Sequence, residues 1–120
     1  MGADLGKNTQ AFIDGLARCS CSAKVDNGVV KFSVPAVVGS HIGDQIETGV
    51  GVDDLAGWPI APPHWVHFPD WVQIGKTNAR SSQQEGWLMH SRNIVGWGTA
   101  EEPAQEWLAH VQSVLGGVVA

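Results

Sequence analysis

Apolar positions recur at a helical spacing near both ends of this chain and alternate in its middle, and that change of period divides it into elements. Phe12, Ile13 and Leu16 share one helical face between Asn8 and Arg18, with Asn8 or Thr9 able to cap the start. Ser20 to Val25 then reads as a strand, Asp26-Asn27-Gly28 as a turn and Val29 to Val38 as a second strand. Asn-Gly between two strand-like runs signals a hairpin. Pro35 makes the far half of the second strand irregular or places it on an edge. Gly39 to Asp44 reads as a further turn. Gln45 to Val52 alternates as a strand, with Ile46, Thr48, Val50 and Val52 on one face. Asp53 to Pro63 is a loop with Pro and Gly, His64 to Phe68 a short aromatic strand, and Pro69 to Gly86 a long exposed loop. From Glu101 to Val114 or Leu115, Trp107, Leu108, Val111, Val114 and Leu115 form a helical stripe. Pro103 suits the first turn of that helix and Gly116-Gly117 stops it. The expectation is an α+β fold: an N-terminal helix, a three- to four-stranded antiparallel meander, and a C-terminal helix on one sheet face.

The 120 residues fit one domain spanning 1–120, with a core over about 9–115 and neither repeat nor linker. A chain of this size buries enough surface to fold without a disulfide or a metal. With 43% apolar and 16% charged residues it reads as globular. Six tryptophans and no tyrosine place several indoles at the edge of the core, where the ring N–H finds a partner. The formal net charge is −5, and the seven Lys and Arg residues are scattered singly. No basic stripe exists to neutralise phosphates, which excludes a nucleic-acid role. No apolar run has the length of a membrane span. The segment from Met1 to Gln10 holds no apolar signal core, so the expected location is the cytoplasm.

Cys19 and Cys21 would share a face if both lay in a strand, and such a pair could meet a metal or an oxidant. The plainer reading is two small apolar residues. A zinc site would need two further ligands, and His41, His64, His67, His90 and His110 show no ligand spacing. Neither a metal nor a cofactor is expected.

The segment Trp58-Pro59-Ile60-Ala61-Pro62-Pro63-His64-Trp65-Val66-His67-Phe68 carries a family resemblance. Its prolines fix φ and stiffen a loop crossing the sheet, with an aromatic ring packed beneath. Together with the element order it resembles the ubiquitin-conjugating (UBC) fold, whose members have such an aromatic-Pro-x-x-Pro-Pro stretch before the fourth strand. The related RWD fold shares a similar loop. Gly39-Ser40-His41-Ile42-Gly43 falls where the family has a Gly-containing turn. Gly86 precedes Met89 by three residues and Trp97 follows it by eight, spacings that put Met89 in the family's catalytic-cysteine position. Thr77-Asn78 is the nearest match to the family's His-Pro-Asn triplet, without the His and Pro. His90-Ser91-Arg92 followed by Trp97 is similar to a subgroup of bacterial UBC-like proteins. These are encoded beside ubiquitin-like proteins and activating enzymes, some linked to phage defence.

What the resemblance implies is tested by the chemistry of the residues. Passing a ubiquitin-like tail through a thioester needs a thiolate, and the thioether of Met89 cannot supply one. The expectation is therefore a pseudoenzyme, a binding or scaffold subunit whose partner is a ubiquitin-like protein or its activating enzyme. One alternative is a conjugating enzyme that forms an oxyester at Ser91, with His90 or His67 as base. Another is an RWD-like interaction module unrelated to ubiquitin-like proteins. Asn78, His90, Ser91 and Arg92 are expected to line one polar groove with Met89. There Arg92 either pairs with Glu101 or Glu102 or receives a carboxylate in its fork. His64 and His67, three apart in a strand, should face opposite sides, one buried and hydrogen-bonded and the other in solvent. Trp71, opening the long loop, is the candidate exposed anchor for a partner.

Overall fold

The computed structural model describes residues 6–36, 43–72, 74, 78–91, 94, 96–98 and 101–116. Helix α1 runs from Lys7 to Arg18, and Phe12 and Leu16 are fully buried on its inner face. Its start has no side-chain cap; Gly6 occupies the cap position, and Asn8 instead donates from Nδ2 to the carbonyl of Ala56 at 2.7 Å. Strands β1 (Ala23–Asp26) and β2 (Val29–Pro35) form the expected hairpin. Asn27 at φ 56° and Gly28 at φ 75° both adopt the left-handed conformation that a two-residue primed turn requires. Strand β3 (Gln45–Gly51) pairs along the whole of β2. It ends before Val52, which opens a single 3₁₀ turn to Leu55. The expected turn at Gly39–Ile42 and the end of the second strand at Val38 lie outside the described residues.

Strand β4 (Trp65–Pro69) continues the meander, and two more strands follow, β5 (Asn78–Ser81) and β6 (Trp87–Ser91). All pairs are antiparallel and the sheet order is β1-β2-β3-β4-β6-β5. Three or four strands was thus too few: the described residues form six, and the supposed loop from Pro69 to Gly86 contains β5 and the turn into β6. Helix α2 (Pro103–Leu115) closes the fold with Pro103 in its first turn. Glu102 caps it, accepting the Ala104 N–H at 3.3 Å.

Period-two alternation gives the sheet two different faces. On the inner face, Val30, Phe32 and Val34 of β2 lie opposite Val50, Thr48 and Ile46 of β3. Val66 and Phe68 extend this surface, and α1 and α2 cover it with Phe12, Leu16, Trp107, Val111 and Val114 in one apolar cluster. The helices approach closely, since a Cβ on Gly15 would stand 2.9 Å from that of Ala104. Arg18 joins them through Glu102, with Nε 2.7 Å from the carboxylate. Glu102 had been a candidate partner of Arg92, which lies outside the described residues.

The proline segment crosses as expected, with Trp58 only 4% exposed and its ring edge-on to Phe12 at 4.8 Å between centroids. Pro63 is buried as well, and the Trp97 indole N–H ties the loop down by donating to the Pro59 carbonyl at 3.0 Å. Trp107 is buried too, but its indole N–H meets no hydrogen-bond acceptor among the described residues, against the expectation for a buried indole. Among the described residues, no helix is long and apolar enough to cross a membrane.

Candidate functional site

The outer face of the sheet, turned away from both helices, holds Asn78, Ser91 and His67 among the polar residues singled out from the sequence. Register fixes their neighbours. Met89 in β6 lies between His67 of β4 and Arg80 of β5. Ser91 lies between Trp65 and Asn78. Met89 and Ser91, two apart, therefore share the outer face with Asn78 and Arg80. Met89 and Ser91 are half-buried, Asn78 and Arg80 exposed.

His90 does not join them. It falls between two outer-face residues, so its side chain turns inward and is only 2% exposed, with its ring 5.9 Å from Phe68. Burial lowers its pKa. It cannot serve as the base for Ser91 from the far side of the sheet, and the expected groove loses that member. Trp71 is exposed, as expected of an anchor, but it follows the Pro69 end of β4 while Ser91 and Asn78 adjoin the Trp65 end. The length of β4, roughly 13 Å, separates them. Arg92 lies outside the described residues.

His67 is the buried member of its pair and His64 the exposed one, as the spacing predicts. The His67 ring enters the outer face over Gly49 and Gly51. A Cβ on Gly49 would approach Val29 Cγ1 to 2.6 Å, His67 Cβ to 3.3 Å and the Trp87 ring to 3.4 Å. A side chain there would collide with Val29 and press on the histidine and Trp87, so glycine is what leaves room for these neighbours. His67 Nδ1 is hydrogen-bonded to Ser82 Oγ at 2.7 Å, and Oγ also accepts the Gln84 N–H at 3.0 Å. Beyond Ser82 the hairpin tip reaches the opposite hairpin: Gln83 Nε2 donates to the Gly28 carbonyl at 3.2 Å, and Asn27 Nδ2 to the Gln83 carbonyl at 3.3 Å. Burial pushes the His67 pKa down to about 4, against the pull of the Asp54 carboxylate and with a small further push from His90.

A serine bonded to a histidine has the geometry of a nucleophile and its base. Here the imidazole is sealed in at 2% exposure, and its low pKa makes it a weak proton acceptor at neutral pH. The pair fastens the hairpin tip to the sheet. Nothing in the sequence spacing marks Ser82, fifteen residues from His67, and it was missed.

Two cation–aromatic contacts flank this centre. The Arg80 guanidinium lies 5.6 Å from the Trp65 ring centroid, and Lys31 Nζ 5.4 Å from that of Trp87. Lys31 also pairs with Asp26 at 2.8 Å, and that hydrogen bond holds the Asp26 carboxyl below its ordinary pKa. Arg80 and Lys31 had not been singled out.

The cysteines are elsewhere. Neither lies in a strand, which corrects the idea of a same-face pair: Cys19 ends α1, and Cys21 precedes β1 with its thiol 3.6 Å from the Ser33 carbonyl. Both are free and half-buried against the inner core, and burial raises both thiol pKa values. Among the described residues no three His, Cys, Asp or Glu side chains are grouped to hold a metal. No family model, curated protein or solved structure matches the chain.

Proposed function

We propose that this chain is a UBC-like pseudoenzyme that binds a ubiquitin-like protein or its activating enzyme without forming a thioester itself. The observation that carries the reading is the separation of thiol from site. Met89, which the spacing of the resemblance aligns with the family's nucleophile, lies on the outer face between His67 and Arg80. Cys19 and Cys21 pack on the opposite side of the sheet beside β1, four strand spacings from β6. At the usual inter-strand distance that is roughly 19 Å, beyond any reach to a tail held at Met89. The raised thiol pKa values further reduce the thiolate fraction. The oxyester alternative at Ser91 is weakened by the same geometry, since His90 turns inward and His67 engages Ser82.

Binding without covalent chemistry through so open a surface should be weak, because ordering a flexible tail opposes it. The test is incubation with a ubiquitin-like protein, its activating enzyme and ATP. The expected result is no adduct, together with non-covalent binding that Arg92→Ala diminishes. An adduct cleaved by reducing agent would overturn the reading in favour of a cysteine. A hydroxylamine-sensitive adduct lost in Ser91→Ala would overturn it in favour of an oxyester.

A further inference from the structure

No strand brings the two cysteines together, but the end of a helix does. Helix α1 closes in a doubly bonded turn. The Cys21 N–H donates to the Leu16 carbonyl at 2.9 Å, and the Ser20 N–H to that of Ala17 at 3.0 Å. This ending requires one left-handed residue, where glycine is usual, and Ser20 takes the role at φ 62°. A left-handed residue is the mirror image of a helical one, so it sets the Cα atoms on either side of it about 5.4 Å apart. Those two atoms belong to Cys19 and Cys21.

The side chains converge as well. Cys19 lies three residues beyond Leu16 and continues its face. Cys21 holds the position that, in this helix ending, packs on the same leucine. Both are half-buried against the inner core. A charge on Cys19 opposes ionisation of Cys21, as it does for neighbouring thiols. The Cys21 thiol, 3.6 Å from the Ser33 carbonyl, makes a weak bond there that costs little to give up.

Two thiols without further donors suit few ligands. Among the described residues, no group of three His, Cys, Asp or Glu side chains exists. Glu102, whose charge acts on Cys19, is committed to Arg18 through both carboxylate oxygens and to the Ala104 N–H. A structural zinc takes four donors, and calcium or magnesium takes oxygen ligands. Soft thiolates select Cu(I), a closed-shell ion that two of them satisfy in line.

We propose that Cys19 and Cys21 bind one Cu(I) ion as a two-coordinate thiolate site at the end of α1. The ion replaces the two thiol protons, which pass to solvent. The turn presets the ligand spacing, so little ordering opposes binding. The site lies on the opposite side of the sheet from Met89 and does not depend on the partner-binding reading above.

The test is a titration of the full reduced chain with Cu(I) under anaerobic conditions, against the chelator bathocuproine disulfonate. The expected result is one copper per chain, two sulfur neighbours in X-ray absorption, and no displacement by excess zinc. Cys19→Ser and Cys21→Ser should each weaken binding by more than about a hundredfold, beyond the loss caused by changes outside a ligand set. Tryptophan emission checks that each variant is folded, and the X-ray absorption spectrum needs no variant. No copper retained against the chelator, or nitrogen in place of sulfur around it, would overturn the proposal. So would undiminished binding in the double Cys→Ser variant, or one copper bridging two chains. A Cys19–Cys21 disulfide that forms in air, with no copper bound after its reduction, would assign the pair to redox chemistry instead.

Discussion

The two faces of one sheet are built on different physics. The inner face is a close-packed core in which aliphatic and aromatic side chains from both helices and four strands interlock. Among the described residues, no helix covers the outer face. It is ordered by a buried histidine, a glycine at position 49 that leaves room beside it, a hairpin tip fastened by hydrogen bonds, and two cations laid over tryptophans. The first stabilises by area removed from water and is costly to cut; the second positions polar groups and is sensitive to charge and pH. Stability is expected to reside mainly in one face and the proposed binding chemistry in the other.

The sharpest way to break that contrast is at the inner face. Trp58→Ala should cost about 3–5 kcal/mol, because it empties a site against Phe12 and Trp97. Urea unfolding would read the loss, and an unchanged midpoint would mean that the crossing loop does not belong to the core. On the outer face the expected effects are smaller. Gly49→Ala should destabilise by about 1–3 kcal/mol through overpacking against Val29, His67 and Trp87, despite alanine's lower backbone entropy cost. A gain in melting temperature there would show that the face is looser than its contacts imply.

The pH dependence tests the histidine directly. His67 has its pKa lowered from 6.5 to about 4 on folding, so between those values the unfolded chain binds more protons than the folded one. Its contribution to stability is therefore complete above the unfolded value and is lost as pH falls through the window toward 4. His90 shifts in the same direction. Unfolding at neutral pH and at the bottom of the window should show that fall in the native protein and a shallower one in His67→Gln. Equal falls would assign the effect to other groups. The smallest effect is expected from Glu102→Ala, which removes a helix cap and an exposed ion pair and should cost less than about 1 kcal/mol. Added salt should shrink the difference, because part of it is screened.

How well each region could be read from the sequence follows the same division. The inner face announces itself: Phe12 and Leu16 at helical spacing, Ile46, Thr48 and Val50 in alternation, and the Trp107–Leu115 stripe all record burial against one side. Asn27-Gly28 signals its hairpin because few residues adopt two successive left-handed conformations. Strand β5 left no such trace. Asn-Ala-Arg-Ser is exposed at every position, so no buried face imposes a period on it. Strand β6 reads Trp-Leu-Met-His-Ser, half-covered on both sides, and its near-continuous run hides the alternation that sends Met89 out and His90 in. That is why His90 was grouped with Met89, Ser91 and Asn78. The His67–Ser82 and Arg18–Glu102 contacts join residues far apart in sequence, and only the fold brings them together.

The close passage of α1 over α2 at Gly15 and Ala104 also has a consequence for how the chain is made. The ribosome releases α1 long before α2 exists, so Phe12 and Leu16 leave the exit tunnel as an amphipathic segment lacking the helix beside which they will be buried. The Arg18 guanidinium likewise has no Glu102 to meet until most of the polypeptide has been synthesised. During translation the first helix is thus an apolar-faced nascent segment that stays uncovered until the sheet, Trp58 and finally the last helix are available to bury it.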